Sequence, residues 1–199
     1  MFTLFTLIVL LFSLVIHEVS HGAMASSLGD HTAKNEGRLS LNPLDHLDPI
    51  GSILVPLMLY VATLGRGPLF GWAKPVPVNP FNFRDQKWGI FKVALAGPLA
   101  NFSVAVFFAL LIRFLPLSLD LISLLSIIVV YNLLLGFFNL VPIPPLDGSQ
   151  ILFSLLPERF SELRNFLQRY GLVLLMLFIF FGFQLLNPLV FAVYNFLVG

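Results

Sequence analysis

The chain has 199 residues, 58% of them hydrophobic and only 11% charged, with a mean hydropathy of +0.93. Soluble domains run nearer about 45–50% apolar and about 25% charged, so this balance excludes an ordinary soluble fold and indicates an integral membrane protein. A net charge of +1 gives no basis for nucleic-acid binding, and the absence of cysteine leaves His and carboxylate as the available metal ligands.

Residues 4–28 form a first apolar stretch, longer than the roughly 20 residues that a hydrocarbon core requires. It has neither the Lys/Arg-rich start nor the small-residue cleavage site of a secretory signal, so 1–28 is expected to be retained as a membrane span. Its second half carries Ile16-His17-Glu18-Val19-Ser20-His21-Gly22. Each ionisable group at membrane depth costs roughly 2.5 kcal/mol or more on insertion scales and so calls for a functional reason. At about 100° per residue, His17, Glu18 and His21 share one helical face. Imidazoles at i and i+4 can grip one tetrahedral Zn²⁺, with the intervening Glu beside the metal-bound water as general base and not as ligand. Four His and four Glu in the chain would produce this H-E-x-x-H pattern by chance about 0.002 times.

Residues 29–49 are polar and turn-rich. Glu36, Arg38 and Ser40 alternate with Gly37, Leu39 and Leu41, which predicts either a short strand whose edge accepts an unwound peptide or an ordinary surface turn. His31 and His46, with Asp30, Asp45 and Asp48, read as solvated loop residues. Residues 50–64 are apolar but short, the signature of a re-entrant segment or of a further span. Residues 65–87 are rich in Gly and Pro and predict extended chain or loop. The second clear span is 89–115, with a small-residue stripe at Ala96, Gly97, Ala100 and Ala105 suited to close packing. Asn101 on that stripe either faces the metal site or braces a neighbouring helix.

A third span, 121–140, leads into Asn139-Leu-Val-Pro-Ile-Pro-Pro-Leu-Asp147-Gly148, whose prolines predict extended backbone presenting Asp147. Residues 157–170 read as a charged surface helix, and 171–198 as a last span kinked near Asn187-Pro188. The expected fold is an all-α polytopic membrane protein in one domain, 1–199. It has about four transmembrane helices, a re-entrant segment or additional helix at 50–64, and a short strand-like loop.

A catalytic zinc keeps three protein ligands and an open position. Glu36 lies on a polar loop, Asp30, Asp45 and Asp48 in turns, and Asp120 near Arg113, whereas Asp147 sits on a rigid Pro-rich turn at the end of an apolar span. Asp147 is therefore the expected third ligand. His17-Glu18-Val-Ser-His21-Gly22, Ala96-Gly97-Pro98-Leu-Ala-Asn101 and the Asn139-to-Gly148 stretch together resemble the site-2 protease family of intramembrane zinc metalloproteases. The resemblance, from about Ile16 to Gly148, implies His17, His21 and Asp147 as ligands of one Zn²⁺ per chain, Glu18 as the catalytic residue, and Asn139 as a polar contact near the site. Asn139 and Asn101 are the candidate substrate or oxyanion contacts. The PDZ-like insertion and nucleotide-sensing domain of larger members are absent from this sequence.

The expected reaction is hydrolysis of a peptide bond in or next to a transmembrane helix of a single-pass substrate within the lipid bilayer. A divalent-metal transporter and a catalytically idle, partner-binding relative are the rival readings. If 50–64 crosses the membrane, Lys and Arg divide 8 to 3 between the two sides; if it re-enters, they divide 10 to 1. The positive-inside rule favours re-entry. The expected topology is thus that of a cell-membrane protein with a non-cytoplasmic N-terminus and its metal site near the cytoplasmic face.

Overall fold

A computed structural model describes residues 2–62, 64 and 74–199; the expectation for 65–73 lies outside the described residues. The chain forms α1 (Phe2–Ser27), α2 (Thr32–Asn35), a π-helical stretch (Pro49–Leu54) running into α3 (Val55–Ala62), α4 (Gln86–Phe114) and α5 (Leu119–Asn139). It continues through α6 (Asp147–Leu155) and α7 (Ser161–Leu177) to α8 (Leu186–Val198). Among the described residues, four helical segments are long and apolar enough to cross a membrane: Thr3–Ser27, Gln86–Phe114, Leu119–Asn139 and Glu158–Val198. The protein is an all-α, multi-pass membrane protein.

Local chemistry sets the helix ends. Gly29, at φ +107°, closes α1: its N–H reaches the Ser26 carbonyl and that of Asp30 reaches Ala25, the paired arrangement of a left-handed C-terminal cap. Asp85 accepts the Trp88 N–H at 3.1 Å to start α4, three residues before the expected boundary. Ser118 accepts from Leu121 to start α5.

Residue pairing gives the helix directions. His17 meets Asn101 and His21 meets Val93, so α1 and α4 are antiparallel. Asn101 meets Asn132, while Ile112 packs in the cluster that Ile122 and Leu125 adjoin, so α4 and α5 are antiparallel as well. The C-terminal ends of α1 and α5 therefore share one face of the bundle with the N-terminal end of α4. Asp30 ties that face together: completely buried, its carboxylate accepts from Thr32, from the Asn79 N–H at 2.7 Å and from the Asn82 amide at 2.8 Å. At the other end Arg113 donates to the Phe196 and Leu197 carbonyls of α8, and not to Asp120.

The interior is built of small and polar residues. Ala105, Ala109, Val129, Leu133 and Val190 join α4, α5 and α8, and Ser13, Asn101 and Asn132 are buried. Large apolar side chains such as Leu7, Phe107 and Phe181 point outward, as expected where the solvent is hydrocarbon and association relies on close packing and interhelical hydrogen bonds.

Three expectations change. No strand forms among the described residues: the 36–41 alternation gives irregular chain, while 74–79 runs without helix along the site. The Pro-rich stretch after α5 is a compact turn, not extended chain. The N–H groups of Val141, Ile143 and Leu146 close local hydrogen bonds that require nothing from the prolines. Finally, the last span is interrupted at Phe178–Leu185 by π and 3-10 turns, while Pro188 fits the first turn of α8, where its missing N–H costs little.

Candidate functional site

The H-E-x-x-H helix and the turn after α5 bring His17, His21 and Asp147 together, the one group of three potential ligands found among the described residues. The two imidazole Nε2 atoms lie 3.0 Å apart. Asp147, the first residue of α6, approaches His17 Nε2 at 3.0 Å through Oδ2 and His21 Nε2 at 3.3 Å through Oδ1. His17 and His21 are buried. His31 and His46 make hydrogen bonds to Ser26 and to the Ser40 carbonyl instead.

The outward nitrogen of each imidazole is already engaged. His21 Nδ1 is 2.7 Å from the Val93 carbonyl, which can only accept, so Nδ1 carries a hydrogen and, in the neutral ring that binds a metal, Nε2 carries the lone pair. Pro98 offers no N–H to the Ala94 carbonyl, next to Val93 in the preceding turn of α4. His17 Nδ1 is 2.7 Å from Asn101 Oδ1. With both rings neutral, two lone pairs and a carboxylate thus converge with no proton to share. Asp147 Oδ2 is buried and, despite its short distance to His17, makes no aligned hydrogen bond. Such a set of acceptors is repulsive unless a cation sits among them, and two imidazoles with one carboxylate suit a borderline divalent metal.

Gly97 leaves the necessary room. A Cβ at this position would stand 2.5 Å from His21 Nε2 and 2.6 Å from His17 Nε2. The stripe expected to serve helix packing therefore also clears space for the two imidazoles. Gly148 serves the backbone instead. A Cβ there would strike the Leu140 and Val141 carbonyls, so the close approach it permits is that of the chain to itself.

Glu18 lies on the wall of a cavity of about 480 Å³ that also borders Val78, Ile90, Asn139 and Asp147. Its Oε2 accepts the Val76 N–H at 3.0 Å. The segment carrying Val76 is fixed on both sides, by Lys74 N–H on the His46 carbonyl, by Arg38 on the Lys74 carbonyl at 3.1 Å, and by Asn79 on Asp30. Asn139 borders the same cavity and donates to the Leu135 carbonyl at 3.0 Å. Asn101 does not: it is fully buried, with its amide engaged by His17, Ser13 and Asn132, which leaves no donor for a substrate. Of the two alternatives for Asn101, the structure unites both, since it holds a site histidine and braces α5.

Sequence reasoning missed Val76, whose contribution is a backbone N–H that no motif records. It also missed Asn132 and Ser13, although an amide within an apolar span was the signal that singled out Asn101.

Comparison with known proteins supplies the family. The model of peptidase family M50 matches residues 117–179, which include Asn139 and Asp147. YwhC of Bacillus subtilis is 37% identical over 185 residues, 88% of this chain and 80% of its own length. Rip2 of Mycobacterium tuberculosis is 34% identical over 140 residues, 69% of this chain and 52% of its own. The zinc metalloprotease MJ0392 of Methanocaldococcus jannaschii is 28% identical over 116 residues, 56% and 34% of the two chains. YwhC and Rip2 are likewise named as candidate zinc metalloproteases. No solved structure matches the chain. On a relative of this identity, aligned over most of both chains, the protein belongs to peptidase family M50, the site-2 proteases.

Proposed function

We propose that this single-domain membrane metalloprotease cuts peptide bonds in or beside the transmembrane helices of single-pass proteins, with one zinc held by His17, His21 and Asp147. The observation that carries this reading is the convergence of His17 and His21, on the apolar helix α1 beside Glu18, with the Asp147 carboxylate at the start of α6. His17 and His21 precede the end of α1 by ten and six residues, about 15 and 9 Å along the axis, inside a hydrocarbon layer about 30 Å thick. Zinc, when bound, supplies the Lewis acidity that makes water a nucleophile near neutral pH and polarises a carbonyl.

The chain's own groups do the rest. Glu18, with one oxygen steadied by Val76, takes a proton from the attacking water on the other and delivers it to the leaving amide nitrogen. Asn139 borders the cavity and holds the backbone of the locally unwound substrate. The apolar wall at Val78 and Ile90 receives its side chains. Cleavage of a purified single-pass substrate in detergent tests this reading. Wild type cuts and Glu18→Gln falls by about 10²-fold or more; equal rates would exclude Glu18 as the base.

We also infer a metal site near the cytoplasmic face of the cell membrane. The shared face of the α1 and α4 ends supports a 50–64 segment that begins and ends on one side, and Lys34, Arg38, Lys74, Arg84 and Lys87 belong to that face while Arg113 lies at the opposite end. The π-helical stretch and α3 are together about 21 Å long, short of a full crossing. Single cysteines at Ser40 and Asn79 should label with an impermeant reagent from one side and a cysteine at Ser118 from the other. Labelling of Ser40 and Asn79 positions from opposite sides would refute re-entry.

A further inference from the structure

His17 and His21 reach the same state by different routes. His21 leans directly on a backbone carbonyl, which cannot turn round. His17 leans on the amide of Asn101, which can: rotated by half a turn, it would present NH₂ in place of oxygen and force the hydrogen of His17 onto Nε2. Neutral imidazole in water already favours that Nε2–H form, and in it the metal-facing lone pair is lost. Something must therefore fix which end of Asn101 faces the histidine.

The fixing groups are the Ser13 carbonyl, on the same helix as His17, and Asn132 on α5. Asn132 Nδ2 is 2.9 Å from the Ile128 carbonyl, an obligate acceptor, so this end of the amide must be NH₂. Its second hydrogen meets Ser13 Oγ at 2.9 Å. Asn132 Oδ1 consequently faces Asn101 Nδ2 at 3.0 Å. The Ser13 carbonyl, 3.2 Å away, receives the other hydrogen of Asn101. Asn101 is thereby left with its oxygen toward His17, and His17 with its hydrogen on Nδ1. Asn101 and Asn132 are fully buried and Ser13 nearly so, so water does not offer an alternative partner.

We propose that Asn132 is a positioning residue for the metal centre: acting on Asn101 together with the Ser13 carbonyl, it holds His17 as the Nδ1–H tautomer, with the Nε2 lone pair directed at the ion position before an ion arrives. The proposal rests on His17 as a metal ligand, but its readout does not depend on metal or on proteolysis. Side-chain ¹⁵N shifts of metal-free, ¹⁵N-histidine-labelled protein report the tautomer of each of the four histidines.

In wild type His17 and His21 should both show the Nδ1–H pattern. In Asn132→Leu only the 3.2 Å bond to the Ser13 carbonyl is left to orient Asn101; His17 should become a tautomer mixture and zinc affinity should fall by about 10-fold or more, while His21, held by Val93, keeps its pattern and reports an intact bundle. Adding Asn101→Asp to Asn132→Leu should restore the His17 pattern, because a carboxylate has no wrong end. A purely structural role for Asn132 would not be rescued in this way. His17 remaining Nδ1–H in Asn132→Leu, with zinc affinity within about twofold of wild type, would overturn the proposal, as would failure of the double variant to restore the tautomer. If the tautomer changes while zinc affinity does not, His17 is not a ligand, and the failure belongs to the assignment of the site.

Discussion

His17 and Glu18 are neighbours in the chain, yet they are held by opposite kinds of structure. His17 faces a dry junction of three helices, where Asn101, Asn132 and Ser13 satisfy one another without water. Glu18 faces a non-helical segment and receives one backbone N–H from Val76. A metal ligand gains from being fixed, since misplacement weakens every bond to the ion. In the proposed reaction Glu18 takes up a proton and gives it back beside a substrate, a role that a boundary able to yield would serve. The difference between these two residues separates a metal-facing half built on helix-to-helix hydrogen bonds, the rigid half, from a substrate-facing half whose non-helical segment is held only at a few tethers, in that sense the softer one.

The largest expected effect that tests this division is on the rigid half. Gly97→Val would drive a branched side chain into the space between the two Nε2 atoms, and zinc affinity should fall by about 100-fold or more. Equilibrium competition with a metal chelator measures it. Affinity near wild type would mean that α4 can retreat and that this half is not rigid.

A smaller effect is expected on the softer half. Burial pushes the Asp30 carboxyl up, but the donors from Thr32, Asn79 and Asn82 outweigh it and hold the group below the usual aspartate range. A depressed folded value means that Asp30 stabilises the fold above its unfolded value of about 3.9 and that this stabilisation is lost as pH falls through the lower folded value. Thermal melts of wild type and Asp30→Asn should therefore differ most near neutral pH and converge in acid. At neutral pH Asp30→Asn should lower cleavage by several-fold, because the segment holding Glu18 loosens, while zinc stays bound. Parallel melts at every pH would remove Asp30 as its anchor.

The same division decides how much was legible in the sequence. Burying a polar residue in hydrocarbon carries such a cost that each one stands out, so His17 and His21, with Glu18 between them, could be grouped from the sequence alone, while Asp147 came from ranking the remaining carboxylates. The spans were readable for the same reason, with α4 differing mainly because Asp85 caps it three residues early. Asn132 carried that signal too, but without a motif nearby its partner could not be named. On the soft side the information is in backbone groups. Val76 acts through its N–H, and the turn before Asp147 closes through bonds of Val141, Ile143 and Leu146. Neither leaves a mark in side-chain pattern, which is why alternation at 36–41 suggested a strand and the prolines suggested extended chain.

The central claim is that one ion is held by His17, His21 and Asp147, with Glu18 beside it but not bound to it. Zinc content of purified wild type, Glu18→Gln and Asp147→Asn, measured after dialysis against a weak chelator, tests this directly. The expected result is one zinc per chain in wild type and in Glu18→Gln, and markedly less in Asp147→Asn, since a neutral amide is a poorer ligand than a carboxylate. Zinc lost from Glu18→Gln, or retained at the wild-type level by Asp147→Asn, would contradict the account.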